Sequence, residues 1–194
     1  PAARVAARAF ERIWRETGAD TRIASGVDRA RPSEGAREGE GTPVWFIEGE
    51  PGLSRVYREL QLVCAHAQEK IWITDPYFVA PAPVTHGLAE AARAGVDVRV
   101  LLPAHNNWPL VGTVSRTGYR GLLEAGVRLF EWQGPMIHAK TAVADGIWSR
   151  VGSSNLNAAS LLGNWEVDVG VLDADFGSQM EGLFLADLAS AVEI

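Results

Sequence analysis

In the run MIHAKTAVADGIWSRVGSSN, residues 136–155, His138 and Lys140 stand two apart within an apolar, strand-like stretch. Side chains alternate along a strand, so an imidazole and an ammonium at this spacing share a face, while Ala139 and Thr141 take the other. Such a pair has a use when a phosphate lies in front of it. Lysine supplies a point charge and three donors; histidine supplies a nucleophile or a proton near neutral pH. The lysine stands out because the chain has sixteen arginines and only two lysines. Asp145 closes the strand. After six intervening residues, Gly152, Ser153, Ser154 and Asn155 make a Gly–Ser turn leading into a helix. Its backbone N–H groups, with the Ser153 and Asn155 side chains, form a phosphate cradle.

Each feature alone has an ordinary explanation: a histidine satisfied within a core strand, or a Ser/Asn helix cap. The combination does not. His-x-Lys with Asp after four more residues arises by chance in about one chain in a hundred of this length, and Gly-Ser-x-Asn at a fixed distance lowers that further. Displacement at a phosphodiester needs a nucleophile, a proton donor for the leaving oxygen and positive charge around the spreading anion. One His–Lys set supplies half of that.

The surrounding pattern says what must position these groups. Strand-like runs VWFIEG, KIWITDPYFV, DVRVLLP, VRLFEW, MIHAKTAVAD and EVDVGVLD alternate with helical runs near 53–67, 84–94 and 110–125, a short helix after Ser154 and a closing helix from about Asp175. Gly95 and Gly126 each stop a helix directly before a strand. This alternation predicts an α/β fold, an α-β-α sandwich with a mixed, largely parallel sheet. Residues 2–16 read as an amphipathic helix with Val5, Ala6, Phe10, Ile13 and Trp14 at helical spacing. Residues 19–43 are rich in Gly, Arg, Glu, Asp and Ser and read as a flexible connector between a leading segment, 1–18, and a catalytic domain, 44–194.

Composition narrows the choices. The net charge of −6 argues against broad attraction to nucleic acid. Cys64 is the sole cysteine, so no disulfide forms within the chain and no cysteine metal cage exists. His66, His86 and His105 are scattered, and no metal or other cofactor is expected. No stretch of eighteen apolar residues occurs. Among seven tryptophans, Trp14, Trp72 and Trp132 lie in periodic segments and are expected in the core; Trp108 and Trp148, placed in turns, are candidates for lipid contact. Asp75-Pro76-Tyr77-Phe78, at a strand's end, is expected to line the cleft.

HAKTAVADGIWSRVGSSN resembles the signature of the phospholipase D superfamily, and the sequence from Ile73 to Asp145 is similar throughout to the second half of bacterial cardiolipin synthase-like members; NWEVDVGVLD resembles the strand with which that half continues. The resemblance implies a phospholipid substrate and phosphatidyl transfer or hydrolysis through a phosphohistidine, with His138 as nucleophile or general acid. Lys140 and Asn155 would bind nonbridging phosphate oxygens beside Ser153, Glu166 would be the carboxylate that orients the histidine, and Asp145 and Gly152 would be structural members of the motif. A peripheral position at the bacterial cytoplasmic membrane is implied too. The run NLNAAS departs from the family's usual continuation, with Asn157 in place of an acid and Ala159 in place of an arginine, and Gly118 stands where an aromatic is common. These departures bear on substrate positioning.

Members of this type use two His–Lys motifs meeting at a pseudo-twofold axis. The opening PAARVAARAFERIWRETG resembles the helix that ends their first half, so the first motif is expected upstream of Pro1, with self-pairing of two copies as the alternative. Two other functions stay open. One is a nuclease of the same superfamily, which the acidic balance disfavours. The other is a noncatalytic half that retains the fold for lipid binding or assembly.

Overall fold

The computed structural model describes residues 2–16, 18, 41–52, 55–108 and 114–194. The connector expected at 19–43 lies almost wholly outside the described residues. Helix α1 spans Ala2–Glu16, and β1, Val44–Gly49, is an edge strand. There follow α2 (Arg55–His66), β2 (Lys70–Thr74), α3 (Ala82–Arg93), β3 (Asp97–Pro103), α4 (Tyr119–Glu124), β4 (Arg128–Trp132), β5 (Thr141–Ala144) and β6 (Trp148–Gly152). A π-helical turn at Ala159–Gly163, β7 (Glu166–Leu172), α5 (Ala174–Leu188) and β8 (Ala191–Glu193) complete the chain.

The strands form one eight-stranded sheet in the order β1-β7-β6-β5-β2-β3-β4-β8. It is mixed, as the alternation of strands and helices predicts, but the expectation of a largely parallel sheet is corrected. Only β2–β3 and β3–β4 pair in parallel; the other five pairings are antiparallel. The two parallel pairs are those linked by α3 and α4. From β5 to β7 the chain meanders instead. The β5–β6 turn explains this: Asp145 (φ 50°) and Gly146 (φ 67°) both adopt left-handed backbone, and Ile147 N–H closes on Ala144 O at 3.1 Å. That is the Asp-Gly geometry which folds a strand back on its neighbour.

β2 and β3 are apolar on both faces because helices cover both sides. On one side α2, α3 and α4 bury Leu60, Leu88 and Leu122 against Ile71, Ile73, Val98, Val100 and Leu129. On the other, α5 places Met180 and Phe184 against Trp72, Leu101, Phe130 and Val143. α5 starts at an Asp173 cap that accepts Phe176 N–H at 2.8 Å. Gly177 passes so close to the β5–β6 turn that a Cβ would sit 2.0 Å from Gly146 O. Helix α1 packs on β1, where Arg12 pairs with Glu48 and Glu50. Its expected apolar face is only partly covered: Ala9 is buried, whereas Val5 and Phe10 remain exposed, Phe10 stacking on Trp14.

The tryptophans divide differently from expectation. Trp148 is not in a turn open to lipid; it begins β6, is buried, and donates its indole N–H to Glu59 at 3.3 Å. Trp108 is 64% exposed. Trp72 is buried, and Trp132 is half-buried with its N–H on Pro135 O.

Candidate active site

Antiparallel pairing gathers the motif residues. β2 ends, β5 begins, β6 ends and β7 begins at one edge of the sheet, with Thr74 opposite Thr141, Thr141 opposite Val151, and Gly152 opposite Asp168. His138 and Lys140 lie just before β5, in an extended segment outside the ladder. The alternation inferred from sequence holds there: Lys140 Nζ lies 3.2 Å from both His138 ring nitrogens and donates to His138 O at 3.0 Å. At most one of those ring nitrogens carries a lone pair able to accept from the ammonium, and which one follows the tautomer. His138 is exposed, while Lys140 is buried.

Tyr77 walls the site. Its ring meets His138 edge-on at 5.7 Å between centroids, and Lys140 Nζ lies 5.9 Å from the same ring. Tyr77 Oη donates to Asn107 Oδ1 at 2.8 Å, which ties this wall to the loop after β3. Burial pushes the Lys140 ammonium below its ordinary value, and the carboxylates of Asp75 and Glu166 pull it back up.

On the other side, Ser153 hydroxyl donates to Glu166 and accepts Val167 N–H at 3.0 Å. Glu166 also accepts Asn164 Nδ2 at 3.3 Å. Among the described residues no hydrogen bond joins Glu166 to His138. The carboxylate that the resemblance gives to the imidazole is engaged by the serine instead, and it acts on Lys140 through its charge. Asn155 donates to Ser160 Oγ at 3.1 Å, and its Oδ1 is buried without a partner. Asp145 stands apart at the far end of β5, where its carboxylate accepts the backbone N–H groups of Gln68, Glu69 and Lys70, each at 2.9 Å. Those three donors hold its carboxyl below the ordinary range, against the effect of burial.

Beneath the loop lies a charged layer that the motif does not announce. Arg150 is 2% exposed and Asp168 fully buried, with Nε and Oδ1 3.4 Å apart. Arg150 also donates to Ser154 O at 2.8 Å, and Ser154 hydroxyl donates to Asp168. Gly152 must be glycine here, because a Cβ would fall 2.0 Å from Asp168 Oδ1. Asp75, also fully buried, accepts Tyr77 N–H at 2.8 Å and Leu156 N–H at 2.7 Å. Asn157, where the family's acid is absent, donates to Tyr77 O at 3.2 Å and accepts Ser160 N–H at 2.9 Å, so it ties the loop to the wall. The expected short helix begins only at Ala159, as a π-turn, and Asn157 takes the N–H groups of Ser160 through its Oδ1 and of Leu161 through its backbone O.

An imidazole in contact with a buried ammonium, next to a hydroxyl–carboxylate pair, is arranged to meet a tetrahedral anion. Residues 63–188 match the family model described as cardiolipin synthase, PLD-like domain. The chain belongs to this phospholipase D-like family. Its relatives include cardiolipin synthase A of Klebsiella pneumoniae, 36% identical over 145 residues, and that of Escherichia coli, 34% identical over 145 residues. Both alignments take in 74% of this chain but 30% of the relative, so the chain spans about a third of their length. Among solved structures, Nuc of Salmonella typhimurium, a phospholipase D family member, superposes with a TM-score of 0.69 at 20% identity, over 79% of this chain and 99% of Nuc. Phosphatidylserine synthase of Haemophilus influenzae gives 0.65 at 14% identity, over 88% of this chain and 46% of its own. These likenesses establish the phospholipase D-like fold for the sheet and its flanking helices.

Proposed function

We propose that this chain is one catalytic half of a phosphatidyl-transferring or phospholipid-hydrolysing enzyme, with His138 and Lys140 at its centre. The observation that supports it best is the contact between a buried lysine and a solvent-facing histidine. A cation held at a wall, with one side open, binds a phosphodiester without blocking the imidazole beside it.

Lys140 Nζ, already within reach of the ring, turns its donors to a nonbridging oxygen. Ser153 and the amide of Asn155, released from Ser160, approach the others. One imidazole attacks phosphorus while the P–O bond to the leaving alcohol breaks, and a second imidazole gives that alcohol its proton. A lipid hydroxyl or water then attacks the phosphohistidine, losing its proton to the second imidazole and freeing the first. His138 fills one of these roles. A second His–Lys set, from an upstream segment of the same protein or from another copy, fills the other. Asp145 braces the strand from its far end. Among the described residues no helix is long and apolar enough to cross a membrane.

The test is incubation with phosphatidylglycerol vesicles, with products identified by mass spectrometry. Cardiolipin or phosphatidic acid formed by the wild type and absent with His138→Ala supports the reading. Salt-sensitive cleavage of DNA with no lipid product would replace it with a nuclease. Activity of the two-motif parent protein that persists after His138→Ala would reduce this chain to a noncatalytic module.

A further inference from the structure

Asp75 has no place in the motif, yet it is fully buried and touches both walls of the site. Its Oδ1 accepts the N–H of Tyr77, the residue whose ring meets His138; its Oδ2 accepts the N–H of Leu156, next to Asn155. Two further links join the same segments: Val79 N–H donates to Leu156 O at 3.1 Å, and Asn157 donates to Tyr77 O. Three charged or titratable groups face the carboxylate from other elements: Lys140 before β5, Arg150 of β6 and Tyr119 of α4.

We propose that Asp75 is a positioning residue for phosphodiester chemistry at this site, a two-oxygen clamp that sets the spacing between the Tyr77–His138 wall and the Ser153–Asn157 loop. The proposal rests on the phosphodiester reading above. Geometry gives the reason. Each carboxylate oxygen holds one N–H, so an amide in its place satisfies one donor and presents an NH₂ to the other. The same charge helps keep the buried Lys140 ammonium protonated, and arginine beneath it limits the cost of burying a carboxylate there. Protonation of Asp75 removes one negative charge from both tasks at once, so wall and loop respond to pH together.

The chain's two lysines make the test direct. Isotope-labelled protein is titrated by NMR in three forms, wild type, Asp75→Asn and Asp75→Glu, with Lys70→Arg assigning the lysine signals. In the wild type, the Tyr77 and Leu156 amide shifts are expected to follow one common midpoint, near the value of about 6 to which burial pushes this carboxyl. Lys140 should lose its proton at lower pH in Asp75→Asn and stay near the wild-type value in Asp75→Glu. Turnover of phosphatidylglycerol vesicles should fall roughly 10–100-fold in Asp75→Asn, mainly in kcat, with the acid limb of the pH profile displaced, and recover in part in Asp75→Glu. Separate midpoints for the two amides in the wild type overturn the clamp even if no variant folds. So does a Lys140 titration unmoved by Asp75→Asn. A parent protein carrying both His–Lys sets that turns over no diester, while both amides of this chain titrate together, upholds the clamp and removes the phosphodiester reading.

Discussion

Gly152→Ala is the sharpest probe of the layer beneath the Ser153–Asn157 loop. The new methyl would lie 2.0 Å from Asp168 Oδ1, 2.3 Å from its Cγ and 2.6 Å from its Cα. Contacts of this kind need at least 3.0 Å, so the two strands must part by up to about 1 Å. Rotating Asp168 away is not a way out. Its Cα remains too close, and its carboxylate is held by Ser154 and Arg150, both buried. Overpacking of this kind costs about 1–3 kcal/mol, and disturbing a buried ion pair adds to it, so a loss of about 3–5 kcal/mol is expected. For a chain of this size that lowers Tm by about 6–20 °C. The assay is thermal unfolding followed by circular dichroism, with Gly121→Ala as the control. A methyl at Gly121 meets nothing within 4 Å in α4, and that variant should hold or gain up to about 1 kcal/mol. Gly152→Ala melting within about 2 °C of wild type would refute the reasoning.

Arg150→Met should cost about 3–5 kcal/mol, because it strands Asp168 and Asp75 as buried carboxylates; a midpoint shift in urea below about a quarter of that would show that they are neutral in the native state. Burial raises the Asp75 carboxyl from 3.8 to about 6, so its contribution to stability is complete below the lower value and lost as pH rises through the upper one. That difference is worth ~3 kcal/mol, and Asp75→Asn should flatten the fall in stability between pH 4 and 8; equal slopes for both proteins would sink the assignment. Asp145 behaves in the opposite sense. Its carboxyl lies below the ordinary value, so its stabilisation is present above that value and fades as pH falls. Asp145→Ala should therefore cost about 1–2 kcal/mol at pH 7, discounted for its partial exposure, and progressively less in acid, as paired unfolding curves would reveal.

Much of the fold was legible because periodicity survives packing. The strand DVRVLLP, the first half of the run KIWITDPYFV, the helices α2 and α3 and the Gly95 and Gly126 stops lie where the pattern places them, whereas the helix expected near 110–125 is formed by α4 only over Tyr119–Glu124. Strand direction was not legible from alternation, which is the same in parallel and antiparallel ladders. The usable signal was the Asp145-Gly146 pair, a hairpin turn that the motif reading absorbed as the end of a strand. β8 had none, being three residues long. In the site, spacing alone placed His138 against Lys140. The partnership of Glu166 with Ser153 depends on β6 and β7 ending together, which no local pattern encodes. Arg150 was hidden for a related reason, and Asp75 was expected to line the cleft but not to be buried. A charged residue in a sequence reads as surface, and here each is buried only because its counter-charge arrives from a strand far away in the chain.

The pairing of β1 with β7 also governs when this sheet can exist. Val44 finds its partner in Val171, 127 residues later, an interval that takes a ribosome roughly 6–25 s to synthesise. Until then the segment that carries Trp45 and Phe46 has no ladder to join. Contacts of such long range form slowly even in a finished chain. The parallel trio β2-β3-β4, whose helices lie between its own strands, can assemble during synthesis. The end of the sheet that holds the candidate site must wait longer: β6 and β7 complete it, and both leave the ribosome after the trio. The half of the molecule that holds the candidate site thus cannot close before β7 is made, and an aromatic edge strand awaits it throughout.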